Sequence, residues 1–162
     1  MELKDALSRA GQPVYVVINS STKPVQGCTI TSLVSTNIDS PNQQLLFVVQ
    51  KDSHFRSEID SQSELTINLL NVSQIEIAQF FSSKRKFDEK EITINYIEEF
   101  NETVIIRDCL LVYNVVIDNI IDLEKTSVVV NRLIKPIFST SGVPLLYGNR
   151  KYGKFIANDI YQ

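Results

Sequence analysis

Apolar and polar residues follow a helical spacing at the start of the chain and then change to the spacing of strands. Apolar positions three and four apart predict a short amphipathic helix over residues 2–10, which Gly11 and Pro13 end. Further on, short runs rich in Val, Ile and Leu predict strands at residues 14–19, 26–35, 45–49 and 65–70. The first half of the chain is therefore expected to be mainly β.

Two short helices are predicted among these strands. Residues 52–60 place Phe55 and Ile59 four apart on one face, as in a short amphipathic helix. Residues 73–76 read Ser-Gln-Ile-Glu, which fits a capping box in which the Ser hydroxyl and the Glu carboxylate bind free backbone N–H groups. We expect a helix to follow this box and to end near residues 81–83.

The second half of the chain has a stronger strand pattern. Alternation and β-branched runs predict strands at residues 91–97, 104–106, 110–117 and 127–134. Strands that follow one another without a helix between each pair argue against a wound parallel sheet. We therefore expect a mainly β fold over residues 1–162, a single domain built as an antiparallel barrel of six to eight strands with two or three short peripheral helices.

The rare residue types narrow the chemistry. The chain has 162 residues, one His, two Cys and a formal net charge of -3. These counts exclude a zinc site of four Cys and His ligands and a zinc bound by three His, and they allow one disulfide at most. The mild negative charge gives no general attraction to nucleic acid. With no apolar stretch typical of a signal peptide or a membrane span, we expect a cytoplasmic protein with no metal, nucleic-acid or membrane partner.

Three segments carry residues that suit an anionic or planar ligand. Residues 27–33 (Gly-Cys-Thr-Ile-Thr-Ser-Leu) supply three hydroxyls and closely spaced N–H groups, typical of a phosphate or cofactor cradle and also of ordinary strand ends. Residues 82–86 (Ser-Ser-Lys-Arg-Lys) put cations after a predicted helix, where they either suit the helix dipole or contact a phosphate. Residues 144–154 mix aromatic, basic and Gly residues, which is consistent with a ligand clamp or an ordered tail.

His54 and Cys28 are the remaining candidates for catalysis. His54 has Asp52 and Ser53 beside it, but neighbours in sequence are rarely arranged as a triad in space, so a solvated histidine is favoured over a Ser–His–Asp hydrolase. Cys28 has no evident base, which favours a small buried side chain over a reactive thiol.

Five segments along nearly the whole chain resemble the motifs of one family. Residues 27–33 are similar to its Gly-Met-Thr-Ala-Ser-Ser-Phe stretch, and residues 35–41 to its Ser-Val-Ser-Leu-Asp-Pro-Pro turn. Residues 65–70 look like Phe-x-Val-Asn-x-Leu, residues 73–81 like a helix that ends in Phe-Ala, and residues 144–153 like a closing segment. The chain thus resembles the flavin reductase-like, FMN-binding split-barrel family.

The resemblance implies a split β-barrel that forms a homodimer and binds flavin near the dimer interface, with FMN as the first choice and FAD as the alternative. It implies that the flavin contacts Thr29, Ile30, Thr31, Ser32, Leu33, Ser35 and Thr36 along the ring and ribityl chain, Gln50, Lys51 and Ser53 beyond them, and Phe81, Ser82 and Ser83 on the phosphate side. It also implies NAD(P)H as reductant and an oxygenase partner that receives reduced flavin.

The chain departs from the family pattern in the segment that contacts the reductant. Members commonly carry Gly-Asp-His before a late strand, and that His contacts the nicotinamide nucleotide. Residues 122–126 read Asp-Leu-Glu-Lys-Thr, so Lys125 stands nearest to the usual His, and a following Gly is missing near Asn131. A lysine ammonium donates hydrogen bonds to a phosphate or a carboxamide, but it does not reproduce the shape and chemistry of an imidazole ring. We expect Lys125 and Tyr152 to contact the nicotinamide nucleotide, and no residue is assigned as certainly catalytic.

Three functional hypotheses remain open. The leading one is a flavin reductase that transfers hydride from NAD(P)H to flavin, because chemistry carried by the cofactor needs no His base or metal in the protein. The second is a non-catalytic flavin-binding module or sensor on the same fold, which the missing Gly-Asp-His favours. The third is a split barrel that binds another planar cofactor, such as haem or a pyridoxine phosphate.

Overall fold

The computed structural model describes residues 3–37, 39, 41–88 and 96–155, so most of the predicted strand at residues 91–97 lies outside the described residues. The helices in these ranges are α1 (Leu3–Ser8), α2 (His54–Ser57) and α3 (Ile75–Phe81). The strands are β1 (Gln12–Pro13), β2 (Tyr15–Asn19), β3 (Gln26–Ile30), β4 (Val34–Asn37), β5 (Gln44–Gln50), β6 (Glu64–Leu69), β7 (Ile97–Phe100), β8 (Thr103–Ile106), β9 (Leu111–Asp122), β10 (Thr126–Ser139), β11 (Leu146–Gly148) and β12 (Lys151–Gly153). None of the described helices is long and apolar enough to cross a membrane.

Seven of these strands form one antiparallel sheet in the order β3-β2-β6-β9-β10-β5-β4. β3 and β4 lie at opposite edges of this sheet, yet only residues 31–33 separate them along the chain, so the sheet curls on itself. Ser32, which follows β3, bridges to the other side of the sheet, because its hydroxyl accepts a hydrogen bond from the Val48 N–H of β5 at 2.9 Å. The prediction of an antiparallel split barrel with a few short helices is confirmed.

β2 is buried on both faces, which explains its uninterrupted apolar run. Successive side chains of a strand point to opposite faces of the sheet. Val17 belongs to an apolar cluster with Phe47 on the inner face of the barrel. Val16 belongs to a second cluster on the outer face, which includes Phe81 of α3. The barrel therefore has one core inside it and another beneath α3 and β8.

α3 lies close to β3 because residue 27 has no side chain. A Cβ atom on Gly27 would lie 2.8 Å from two ring carbons of Phe81 and 2.8 Å from Cδ1 of Ile18, which is closer than packed carbon atoms approach. Two residues further along β3, the Thr29 hydroxyl donates a hydrogen bond to the Ala78 carbonyl of α3 at 2.7 Å. These contacts fix α3, and with it the start of the following loop, against β3.

The start of α3 corrects one prediction. The capping box at residues 73–76 does not form: Gln74 is the N-cap residue and makes no side-chain cap hydrogen bond. Asn71 competes for the groups that the box needs, because its Oδ1 accepts from both the hydroxyl and the N–H of Ser73. Gln74 in turn accepts from the Asn71 N–H at 2.9 Å and donates to the Arg107 carbonyl at 2.6 Å.

Two further differences concern strand length. The strand predicted at residues 26–35 is divided by residues 31–33 into β3 and the edge strand β4, which continues to Asn37. β10 runs to Ser139, past the predicted end at residue 134, and pairs with β9 through three register shifts, one of which lies next to Pro136. Bulges of this kind let a long strand bend around a barrel and accommodate a proline without a donor N–H.

Both cysteines are free thiols whose surroundings favour the protonated form. Burial raises the pKa of the Cys28 thiol to about 11 and, as the largest cause, that of the Cys109 thiol to about 12. A thiol with a pKa near 11 is only about 0.1% ionised at pH 8. The structure thus supports the expectation that Cys28 is not a nucleophile.

Replacing Gly27 with Ala is expected to destabilise the protein by about 1–3 kcal/mol, because the added methyl group forces Phe81 and α3 away from β3. The measurement is chemical denaturation followed by circular dichroism. Gly11→Ala is the matched control, since a Cβ at that position meets nothing within 4 Å. Equal unfolding free energies for the two variants would show that the Gly27–Phe81 contact does not constrain the fold.

Alkylation of the native protein by iodoacetamide at pH 8 is expected to be about two orders of magnitude slower than that of free cysteine, because the thiolate is the reacting species. The rate should rise with pH towards the raised pKa values, and unfolding should restore the ordinary rate. Labelling of the native protein at the free-cysteine rate would contradict this account.

Candidate functional site

A cavity of about 300 Å³ lies at the seam of the barrel, between the β3–β4 turn, the end of β5 and the loop after α3. We call it the seam cavity. Apolar residues of β5 form part of its wall, and Cys28 and Lys84 also line it. It brings together the predicted flavin residues Thr29, Ile30, Thr31, Ser32, Gln50, Ser53, Ser82 and Ser83. Residues from three separate parts of the sequence therefore meet here.

The β3–β4 turn offers unused backbone donors at this cavity. In the described part of the chain, the N–H groups of Thr31, Ser32 and Leu33 have no hydrogen-bond partner. Two of these residues, Thr31 and Ser32, line the seam cavity, and neighbouring backbone N–H groups at a turn favour carbonyl or anionic oxygens as partners. These donors suit the polar edge of a flavin ring or a phosphate.

Several hydroxyls that the sequence predicts as ligands have structural partners instead. Thr29 donates to α3 and Ser32 donates to the Val48 carbonyl at 3.3 Å. Ser53 donates to the Gln50 carbonyl at 2.7 Å and caps α2 by accepting from the Arg56 N–H. Ser82 donates to the Gln79 carbonyl at 2.7 Å. The hydroxyl hydrogens of Thr31 and Ser83 have no partner in the described residues.

Long-range contacts hold the loop after α3 in place. The Lys84 carbonyl accepts from the His54 N–H at 2.9 Å, and Lys84 Nζ lies 2.8 Å from Asp52 Oδ1. The buried Gln26 side chain binds both the N–H and the carbonyl of Phe87, each at 3.1 Å. The loop is thus fixed to the β5–α2 turn and to β3, and these contacts hold its side of the seam cavity in place.

A second cavity of about 730 Å³ adjoins the first and shares Thr29, Thr31 and Ser82 with it. We call it the hairpin cavity, because its other wall is the β11–β12 hairpin. That hairpin contributes Tyr147, Arg150, Lys151 and Tyr152. Of the two residues predicted to contact a nicotinamide nucleotide, Tyr152 lines this cavity.

A third cavity of about 400 Å³ opens at another part of the barrel, between Tyr15 of β2, Tyr113 of β9 and residues of β4, β5 and β10. We call it the tyrosine cavity. Leu33 and Ser35, which the resemblance places along the flavin, line this cavity and not the seam cavity. Thr36 lies on β4, and its hydroxyl is 3.5 Å from the Gln44 carbonyl. The predicted set is therefore divided between two cavities.

Three further residues that were predicted to contact a ligand, Phe81, Lys51 and Lys125, line none of these three cavities. The Phe81 ring is fully buried in the outer core, at the end of α3 where the following loop begins. The Lys51 N–H donates to the Lys125 carbonyl at 3.0 Å, which places the β9–β10 turn beside the end of β5. Lys51 Nζ is 3.4 Å from the Leu123 carbonyl.

The residues around His54 do not form a catalytic triad. His54 Nε2 lies 3.3 Å from Glu58 Oε1, while Asp52 binds Lys84, whose hydrogen bond is the main reason that the pKa of Asp52 is lowered. No group of three His, Cys, Asp or Glu side chains is arranged to hold a metal ion in the part of the chain that the structure describes.

The sequence interpretation missed Gln26 and Lys84 as residues that shape the seam cavity. Gln26 reads as an ordinary strand residue, and nothing in its neighbourhood signals a partner 61 positions away. Lys84 belongs to the predicted cation cluster, but its contact with Asp52 is not visible in the sequence.

Comparison with known proteins agrees with this geometry. Residues 7–155 match the family model described as flavin reductase like domain. The styrene monooxygenase flavin reductase SMOB from Pseudomonas putida has a TM-score of 0.82 at 14% identity, covering 98% of this chain and 99% of that chain. A flavin reductase domain protein from an Arthrobacter species has a TM-score of 0.82 at 20% identity, covering 96% and 95%.

The NADH:FAD oxidoreductase SgcE6 from Streptomyces globisporus has a TM-score of 0.82 at 16% identity, covering 96% of this chain and 92% of that chain. At such identities the structural likeness establishes the fold, and the family model establishes the membership. The chain belongs to the family described by the flavin reductase like domain.

Proposed function

We propose that this protein is a flavin reductase that binds flavin in the seam cavity and transfers a hydride to it from NAD(P)H. The observation that carries the proposal is that Thr31 and Ser32, which line the seam cavity in a member of the flavin reductase family, have N–H groups without a hydrogen-bond partner in the described residues. The whole chain, residues 1–162, would act as one flavin reductase-like unit.

The residues of the seam cavity divide into donors and walls. The N–H groups of Thr31 and Ser32 would bind the acceptor atoms of the flavin, and the apolar residues Ile30, Val48 and Val49 would pack against its ring. Ser83 and Lys84 would lie on the phosphate side, with Asp52 holding the Lys84 ammonium in place. When bound, flavin supplies the redox chemistry: it accepts the hydride that oxidises the dihydronicotinamide ring, and a proton comes from water.

FMN and FAD both suit this arrangement. In the seam cavity the polar ring edge of FMN would meet the donors at Thr31 and Ser32, and its phosphate would meet Ser83 and Lys84. FAD needs additional space for its adenosine part, for which the adjoining hairpin cavity would be available. The neighbour SgcE6 is named as an NADH:FAD oxidoreductase, and one of its structures holds NAD and FAD fragments.

Two partner proposals follow from the family. A homodimer is supported by the outer edge of β4, which pairs with no strand but β5 among the described residues, and by exposed apolar side chains on β4 and β10: Val34 is 54% exposed and Ile134 is 43% exposed. An oxygenase that consumes reduced flavin is supported by the neighbour SMOB, which is named as the flavin reductase of a styrene monooxygenase.

A non-catalytic flavin-binding protein is the second candidate, and one observation favours it. Lys125 occupies the place where the family commonly has its nicotinamide-contacting His, and it lines none of the three cavities. Reduction by NAD(P)H and simple flavin binding therefore require separate tests.

Thr31→Glu is expected to weaken flavin binding at least about tenfold, because it places a carboxylate against the polar edge or the phosphate of the ligand. Quenching of flavin fluorescence measures the affinity. Thr140→Glu, at an exposed threonine outside the cavities, makes the same change and should leave the affinity unaltered. If both variants bind flavin as the wild type does, the seam cavity is not the flavin site.

Anaerobic mixing of the flavin-loaded protein with NADH or NADPH is expected to remove the visible absorbance of the flavin in a single turnover. Lys125→Ala should raise the nucleotide concentration needed for half the maximal rate, while Lys135→Ala, at an exposed lysine of β10, should not. Persistence of the absorbance with both nucleotides would contradict the reductase and support the non-catalytic flavin-binding protein.

A further inference from the structure

The tyrosine cavity lies at the mouth of the barrel and has no part in the proposed function. Leu33, Leu45 and Leu133 line it and also pack against the inner core around Phe47, so the cavity opens over the end of that core. Its volume is about 400 Å³. Mouths of β-barrels are common ligand sites, and such sites occupy about 300–1,000 Å³. The cavity is therefore large enough for one small molecule.

Two phenol groups line this cavity without partners of their own. Tyr15 and Tyr113 both pack against the inner core, and neither hydroxyl has a hydrogen-bond partner in the described residues. Burial raises the pKa of Tyr15, and the nearby Tyr113 hydroxyl adds to that effect, so Tyr15 stays neutral and able to donate. Tyrosine hydroxyls generally find a partner when their rings are buried. These two therefore suit a ligand with hydrogen-bonding atoms at its edge.

The described lining of the cavity carries no charged side chain. Its other polar groups are the hydroxyl of Ser35 and the carboxamides of Asn37, Gln43 and Gln44. Among the described residues that line it there is no Lys, Arg, His, Asp or Glu. An ion that enters such a site loses its hydration and meets no opposite charge in return. The lining therefore favours an uncharged ligand over an anion or a cation.

Asn131 places a buried acceptor beside this cavity. In the register of the sheet, Ser35 of β4 pairs with Leu45 of β5, and Leu45 pairs with Asn131 of β10. The fully buried Asn131 uses its Nδ2 to donate to the carbonyls of Leu45 and Val129, at 3.4 and 3.1 Å. Its Oδ1 has no hydrogen-bond partner in the described residues. A buried acceptor without a partner is destabilising, so a ligand that brings a donor to this row would relieve it.

The β3–β4 turn separates this cavity from the seam cavity. Thr31 and Ser32 line the seam cavity, whereas Leu33 and Ser35 line the tyrosine cavity. The described linings of the two cavities share no residue. A molecule in the tyrosine cavity would thus leave the seam cavity open for another ligand.

We propose that the tyrosine cavity binds a small uncharged aromatic molecule that carries a hydrogen-bond donor. The ring would lie against the three leucines and the two tyrosines, with its donor on the side of Asn131. The phenols and carboxamides would bind the remaining polar atoms at its edge. Leu33 and Ser35 would contact this second ligand, and the site does not depend on the proposed function.

The test uses indole as the probe, because it is uncharged, has one N–H donor and is fluorescent, while this chain contains no Trp. The change in indole emission as the ring leaves water measures binding, and we expect a dissociation constant below about 1 mM. Indole-3-carboxylate adds a negative charge to the same ring and should bind at least about tenfold more weakly. 1-Methylindole lacks the donor and should bind at least about threefold more weakly. Absence of indole binding, or equal affinities for the three compounds, would overturn the proposal.

Two pairs of variants test the position of the site. Ser35→Phe fills the cavity and should weaken indole binding at least about tenfold, whereas Ser139→Phe makes the same change at the exposed end of β10, outside the three cavities, and should leave it unaltered. Tyr113→Phe removes one hydroxyl and should weaken binding about two- to fivefold. Tyr96→Phe removes a hydroxyl at the outer core and should not. Equal affinities within both pairs, in variants with the circular dichroism of the wild type, would contradict this position.

A competition experiment distinguishes the site from that of the flavin. Calorimetric titration of indole with and without saturating FMN should give affinities that agree within about twofold. Displacement of indole by FMN would show that the tyrosine cavity belongs to the flavin site, and it would overturn the inference. Indole binding by a protein that binds no flavin would reject the proposed function and support the separate site.

Discussion

The contact between Phe81 and the bare backbone at Gly27 is the constraint on which the site depends. Because residue 27 has no Cβ, the Phe81 ring reaches β3 directly and α3 lies flat against the barrel. The Thr29 hydroxyl completes the attachment by binding the Ala78 carbonyl. The chain that leaves α3 therefore passes beside the β3–β4 turn, and both the seam cavity and the hairpin cavity share residues from these two segments.

The same arrangement explains why the site shows no conspicuous catalytic side chains. Thr29, Ser32, Ser53 and Ser82 use their hydroxyl hydrogens to fix the backbone around the seam cavity. In the described residues, the groups that remain for the proposed ligand are mainly the backbone donors of Thr31 and Ser32. In the proposed site, side chains would thus fix the backbone and main-chain N–H groups would contact the ligand, as suits a protein whose cofactor carries out the chemistry.

Much of the fold was predictable from local pattern, because strand alternation and β-branched runs are read directly from neighbouring residues. The helix predicted at residues 52–60 is shorter than expected: α2 ends at Ser57, so Ile59 lies beyond it, although Phe55 and Ile59 are both buried as the pattern indicates. The capping box failed because Asn71, just before it, takes the Ser73 hydroxyl. This competition depends on how the chain bends between Asn71 and Ser73, which the four residues of the motif do not determine.

The candidate site was predictable only in part, for a different physical reason. The segments 27–33 and 82–83 carry a recognisable composition, but contacts such as Gln26 with Phe87 depend on the tertiary fold. The separation of Leu33 and Ser35 from the seam cavity follows from the sheet closing at Ser32, which turns the next residues towards the tyrosine cavity. The β11–β12 turn is hard to recognise in the sequence, because its positive φ angles of 49° and 61° are adopted by Asn149 and Arg150 and not by glycines.

Amide hydrogen exchange with and without FMN, read by mass spectrometry, tests the central claim most directly. If flavin binds in the seam cavity through the backbone, peptides that contain residues 31–33 and 82–84 should exchange more slowly when FMN is present. Protection confined to the strands around Tyr15, Tyr113 and Leu133, with residues 31–33 unchanged, would place the flavin in the tyrosine cavity and contradict the account.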